Sequence, residues 1–156
     1  MTPHELMELA IAKASEGVDK GQSPFGCAIE LDGKLIAQSH NTVLLTVDIT
    51  AHAEINALRE GCSAAEHYLL DGAIVATTCE PCPMCMAALH WARVDTVYYG
   101  ATIADAEVAG FNELSMPAAE LLQVGGSQVK LIGDTLGDQC RELFQRWRES
   151  PGATTY

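Results

Sequence analysis

The apolar positions of this chain change period several times, and each change predicts an element. Met7, Ala10, Ile11, Ala14 and Val18 recur at helical spacing behind a Thr2 cap and a Pro3 suited to the first helical position, until Gly21 ends the run. Phe25 to Leu31 and Lys34 to Ser39 read as two strands joined by the hairpin signal Asp32-Gly33. A second helix is expected from a Thr50 cap through Ile55 and Leu58, stopping at Gly61. The run Gly72-Ala73-Ile74-Val75-Ala76-Thr77 reads as a short strand of the buried kind. A helix from Pro83 through Met86, Leu89 and Trp91 to Arg93, then a strand Thr96-Val97-Tyr98-Tyr99, completes a crossover unit with parallel strands. Residues 101 to 116 keep no steady period and read as a loop with a helical turn. Pro117 to Leu122 predicts a short helix and Gln128 to Ile132 a fifth strand. Asp138 to Glu149 predicts a last helix with the buried stripe Cys140, Leu143, Phe144 and Trp147, broken at Pro151-Gly152.

This order predicts one α/β domain over residues 1–156, a three-layer sandwich in which a mixed five-stranded sheet carries helices on both faces. A chain of this length buries about 70% of its unfolded surface without staples. No run approaches the roughly 18 consecutive apolar residues of a membrane span. The six cysteines, at 27, 62, 79, 82, 85 and 140, are scattered rather than framed, and Met1-Thr2-Pro3-His4-Glu5 has neither a basic start nor an apolar run. A reducing cytoplasm is therefore expected, with Cys27, Cys62 and Cys140 as buried small apolar residues.

Charge narrows the partners. With 9 basic and 21 acidic residues, net −12, the chain is poorly equipped to neutralise phosphates, which argues against nucleic acid. Its densest basic cluster, Arg141, Arg146 and Arg148, is interleaved with Glu142 and Glu149 and reads as a solvated helix face. A small neutral substrate would be indifferent to that charge.

Two stretches carry chemistry. His52-Ala53-Glu54 is followed, 27 residues after Glu54, by Pro81-Cys82-Pro83-Met84-Cys85. Neutral imidazole and thiolate hold zinc, and a catalytic site needs three protein ligands so that a fourth position stays open to water. His52, Cys82 and Cys85 supply that set, for one zinc per subunit. Ionising the water also requires a group to carry its proton onward, and Glu54 is the carboxylate placed for that. The thiols of Cys-x-x-Cys are helix neighbours, and a helix N-terminus favours thiolate. His52 and Glu54, two residues apart, project roughly 200° apart on a regular helix, so both approach a metal only at a helix mouth. Two other readings stay open: a redox dithiol at Cys82 and Cys85, and a closed structural zinc site completed by His90 or Cys79.

His-x-Glu with Pro-Cys-x-x-Cys is the signature of zinc nucleobase deaminases, and over nearly its whole length the chain resembles the cytidine deaminase-like superfamily. Within it the chain is similar to small bacterial guanine deaminases at Ser23-Pro24-Phe25-Gly26, Asn41, Thr50 to Glu54, Thr78 to Cys85, Trp91-Ala92-Arg93 and Ala106 to Glu113. The resemblance implies that two metal-bearing helices lie side by side with their N-termini at the zinc, and that Glu113 assists Glu54 in delivering protons to the departing amine. Asn112 stands where the family usually has Asp. Phe25, Asn41, Ala53 and Trp91 would contact the base, and Tyr156 would reach an active site, in some relatives that of a partner subunit. A homodimer converting guanine to xanthine and ammonia, in purine metabolism, is the activity so implied. A cytosine or isocytosine deaminase, a tRNA adenosine deaminase and a non-catalytic zinc or redox module are the rivals.

Overall fold

Thr2 and Glu5 cap the first helix reciprocally: the Thr2 hydroxyl accepts from the Glu5 N–H at 3.2 Å, and the Glu5 carboxylate accepts from the Thr2 N–H at 2.7 Å. The computed structural model, which describes residues 1–156, continues this helix as α1 (Pro3–Asp19) with Leu6, Met7, Ala10, Ala14 and Val18 buried. The hairpin of β1 (Gly26–Leu31) and β2 (Lys34–His40) turns at Asp32 and Gly33, both with positive φ, as a two-residue turn of this hand requires. Gly26 lies so close under α1 that a side chain there would collide with the Ala10 carbonyl.

A single turn, α2 (Val43–Thr46), leads to α3 (Ala53–Ala64), β3 (Ile74–Cys79), α4 (Pro83–Trp91) and β4 (Thr96–Ala101). Then come α5 (Ile103–Ala109), α6 (Ala118–Gly125), β5 (Lys130–Ile132) and α7 (Gly137–Glu149). The sheet order is β2-β1-β3-β4-β5. β1 is antiparallel to both neighbours, with Cys27 opposite Thr77, whereas β3, β4 and β5 are parallel, with Cys79 opposite Ala101. The mixed five-stranded sheet is the one expected.

Alternation along the strands divides the core in two. Ala28 and Ala76 face α1 and α7, where Met7, Cys140, Phe144 and Trp147 are buried. Cys27, Ile29, Val75 and Val97 face α3, α4 and α6, packing on Ala57, Leu58, Met86, Leu89 and Leu122. Helices thus cover both faces, giving the three layers. No helix is long and apolar enough to cross a membrane.

Three local expectations need correcting. The helix carrying Glu54 starts at Ala53 with His52, not Thr50, as its N-cap. Thr50 is consumed in a turn, where Asp48 Oδ1 accepts from its N–H at 2.9 Å and from its hydroxyl at 2.7 Å. Gly61 does not stop that helix: it is buried inside it, against Ile36 and Leu70, where a side chain would crowd both. Residues 103–109 form a full helix rather than a loop. The signal was a capping box, in which the Thr102 hydroxyl accepts from the Asp105 N–H at 3.1 Å and the Asp105 carboxylate accepts from the Thr102 N–H at 2.8 Å.

Candidate active site

His52 and Cys82 are equivalent positions of two neighbouring helices. Each is an N-cap with extended backbone, φ −66° and ψ 159° for His52, φ −62° and ψ 165° for Cys82. An N-cap side chain ordinarily accepts from the first-turn N–H groups. Here neither does, so both side chains project freely from the mouths of α3 and α4. The i, i+2 difficulty disappears with this: His52 sits outside the helix and Glu54 is its second residue. Cys85, in the first turn of α4, completes the trio.

The three ligand atoms lie within 4.8 Å of one another. A tetrahedral zinc with Zn–S of about 2.3 Å and Zn–N of about 2.0–2.1 Å sets an N···S separation of roughly 3.6 Å. His52 Nδ1 is 3.7 Å from Cys82 Sγ and 3.5 Å from Cys85 Sγ, so the donor set fits that ion. Neither proposed fourth ligand joins them: the Cys79 thiol donates to the Thr102 carbonyl at 3.5 Å, and the His90 ring pairs with the Ser127 hydroxyl at 2.8 Å. Only three ligands converge, and two of them, His52 and Cys82, line a cavity, which favours an open site over a closed structural one.

The electrostatics suit a metal. Hydrogen bonding from Cys85, with His52 adding to it against the cost of burial, pulls the Cys82 thiol down to about 4. The same bond, together with burial, holds Cys85 well above the ordinary thiol range, so among the protein groups the pair shares one proton. A bound cation releases it. Burial raises the Glu54 carboxyl, as does the neighbouring Cys82 thiolate. Thr77 works against that shift, donating its hydroxyl to Glu54 Oε1 at 3.0 Å in a fully buried contact. Burial, then the Cys82 thiolate, lifts Glu113 to about 7.

A cavity of about 370 Å³ opens beside His52 and Cys82. Phe25, Asn41, Glu54, Asn112, Glu113 and Tyr156 all line it. Phe25 meets Phe111 edge to face, ring centroids 4.9 Å apart. Asn41 is fully buried; its Oδ1 accepts from the Val43 N–H at 3.1 Å, which turns Nδ2 to the cavity, where it donates to the Tyr156 hydroxyl at 2.6 Å. The C-terminal tail therefore folds over the chain's own site, and the Asn112 N–H donates to the Tyr156 carbonyl at 3.2 Å.

Two expected contacts are not there. Trp91 is 71% exposed at the far end of α4. Eight helical steps from Pro83 carry it roughly 12 Å from the mouth, too far to wall the cavity. Ala53, at the start of α3, turns its methyl into the core cluster with Cys27 and Met86 instead of toward a base.

Ile49 and Leu114 also line the cavity and carried no signal in the sequence, while Glu80 and Met84 fall within the matched motif but had no role assigned to them. Asn56 carried no signal either; its amide donates to the His40 carbonyl at 3.0 Å, the Thr42 hydroxyl at 2.9 Å and the Ala51 carbonyl at 3.3 Å. It thereby ties the segment bearing Asn41 to the one bearing His52.

Residues 1–101 match the model of the cytidine and deoxycytidylate deaminase zinc-binding region. The chain is 42% identical to guanine deaminase of Bacillus subtilis over 127 residues, 77% of this chain and 81% of that protein. The X-ray structure of Bacillus subtilis guanine deaminase superposes with a TM-score of 0.70 at 44% identity, covering 72% of this chain and 73% of that one. A tRNA-specific adenosine deaminase of Agrobacterium fabrum is 43% identical over 96 residues, 62% of this chain and 63% of that protein, just under two thirds of its length. A guanine deaminase structure from Nitrosomonas europaea shares the fold, with a TM-score of 0.85 over 94% of this chain and 84% of that one at 23% identity. With His52, Cys82 and Cys85 set to hold its zinc, the chain belongs to the cytidine and deoxycytidylate deaminase zinc-binding family, hydrolases of carbon–nitrogen bonds.

Proposed function

We propose that the protein deaminates a free purine base hydrolytically, converting guanine to xanthine and ammonia. The observation that carries this reading is the second carboxyl, Glu113, lining the same cavity as Glu54 from the Gly110-Phe111-Asn112-Glu113 segment that resembles guanine deaminases. The longer match to guanine deaminase supports it, 127 residues against 96 for the tRNA enzyme. So does the net charge of −12.

His52, Cys82 and Cys85 would hold a zinc ion, which when bound would supply a nucleophile by lowering the pKa of water to about 7. Glu54 takes the proton given up by that water and delivers it to the ring nitrogen beside the carbon under attack. Its burial, and the Thr77 hydroxyl fixing one carboxylate oxygen, leave the other oxygen to do so. Glu113 then helps Glu54 protonate the departing amine; lifted to about 7, it holds a proton for much of the neutral range, and that proton is lost as pH rises past 7. Asn41 offers Nδ2 to an acceptor on the base edge, and Phe25 flanks the ring. The proposed setting is a cytoplasmic homodimer in purine metabolism, and a monomer mass by sedimentation would overturn the oligomeric part.

Ammonia release by zinc-loaded protein tests the substrate, with guanine, cytosine, isocytosine, adenine, cytidine, guanosine and an adenosine-bearing tRNA anticodon stem side by side. Guanine is expected to be turned over. Turnover confined to a pyrimidine or to the tRNA stem would discard the substrate, the latter being the second reading that the 43% identity to a tRNA enzyme keeps in view.

A further inference from the structure

Glu80 belongs to neither of the chemical groups above, yet it stands between them. It follows β3 directly, two residues before Cys82, and its half-buried side chain crosses to the segment that bears Glu113. One carboxylate oxygen accepts from the Ile103 N–H at 3.1 Å, the other from the Ala118 N–H at 2.8 Å. These are the first residues of α5 and of α6. Between them runs the stretch whose Phe111, Asn112, Glu113 and Leu114 line the cavity.

Each bond answers a local need. The N-cap of α6 is Pro117, whose side chain caps nothing, so Glu80 provides the acceptor that the helix's own sequence lacks. An anionic acceptor at two helix N-termini gains from both dipoles and makes stronger bonds than a neutral one. The backbone reinforces the near end: the Glu80 N–H donates to the Ala101 carbonyl at 2.8 Å, and the Cys79 thiol to Thr102. With both oxygens engaged by N–H groups, Glu80 braces the cavity wall.

We infer that Glu80 is a positioning residue, holding both ends of residues 103–118 to the strand that delivers Cys82 and thereby fixing where Glu113 stands relative to Glu54 and the ligands. The kinetic part of this rests on the reading of Glu113 given above; the bracing does not.

The test uses zinc-loaded full-length protein carrying Glu80→Gln, which keeps the size but turns an amide N–H₂ toward one of the two N–H donors. Hydrogen exchange should quicken at the amides of 103–118 while zinc stoichiometry stays at one. Exchange unchanged across that segment would overturn the inference whatever the substrate proves to be. In kinetics kcat should fall by up to about 10²-fold, the scale of a small misplacement of a reacting group, with KM little changed. In a Glu113→Gln background the same substitution should cost almost nothing further. If Glu80→Gln slows the Glu113→Gln enzyme as much as it slows the parent, Glu80 does not act through Glu113 and the inference fails. If Glu113→Gln alone is as fast as the parent, the functional reading fails instead, and exchange still decides the bracing. Should Glu80→Gln lose its zinc, Glu80→Asp, which keeps the charge and shortens the reach, is expected to show the same exchange pattern in milder form, and its absence there would equally sink the idea.

Discussion

The half of the chain that presents the metal ligands and the half that closes over them are built on different principles. His52, Glu54, Cys82 and Cys85 stand at the mouths of two packed helices, where nearly identical backbone angles at His52 and Cys82 aim both ligands at one point. Phe111, Asn112, Glu113 and Tyr156 come from a segment between helices and from the chain's end, held by a few hydrogen bonds and aromatic contacts. The family match ends at residue 101, at the seam between these halves. Chemistry set by helix ends tolerates little change, whereas a wall made of loop and tail is free to vary with the substrate. Two relatives named for different substrates are matched at similar identity, guanine deaminase at 42% over 127 residues and the tRNA enzyme at 43% over 96.

The largest effect is expected in the first half. Glu54→Gln keeps the shape of the residue and its Thr77 contact but cannot carry a proton. Turnover should fall by at least the roughly 10²–10⁴-fold of general acid–base catalysis, while zinc, measured by metal analysis, remains at one per chain. Loss of zinc along with activity would mean that Glu54 shapes the ligand set, and the division between ligands and proton carrier would no longer hold.

Phe111→Ala probes the joint between the halves. Phe111 is 5% exposed, with ring centroids 4.9 Å from Phe25, 5.0 Å from Trp147 and 5.5 Å from Tyr156, so one ring links cavity, last helix and tail. Truncating a buried Phe costs about 3–5 kcal/mol. Urea denaturation should show a loss of that order, and KM should rise as the wall collapses. Unchanged stability would show that the closing half packs independently of the aromatic cluster.

Legibility in the sequence follows the same division. The ligands, Glu54 and the sheet were readable because each rests on local rules: caps, strand alternation, and two short motifs whose residue types admit few chemistries. Trp91 was misplaced because identity with a family motif says nothing about how far along a helix the residue falls, and α4 carries it away from the site. The roles of Thr77, Asn56 and Glu80 were hidden for another reason. Thr77 looks like part of an apolar strand, and Asn56 like one polar position on a helix. Their roles arise from pairings with Glu54, 23 residues away, and with His40, 16 away. The 103–109 helix was legible in principle, since Thr102 and Asp105 form a capping box that its irregular apolar period masked.

The smallest expected effect lies at the end of the chain. The Tyr156 hydroxyl accepts from Asn41 Nδ2 at 2.6 Å, and burial pushes its pKa up to about 12, so it keeps its proton at any ordinary assay pH. Under the proposed function that proton would be donated into the cavity, toward a carbonyl or ring nitrogen of the base, with the Ser23 hydroxyl as its neighbour. Tyr156→Phe removes the donor and one partner of Asn41 while keeping the ring against Phe111. A neutral hydrogen bond contributes about 0.5–1.5 kcal/mol, so KM should rise by roughly 2- to 10-fold with kcat little altered. A fall in KM would reverse the assignment, because it would mean that the hydroxyl competes with the base for Asn41, making the tail a plug to be displaced on binding.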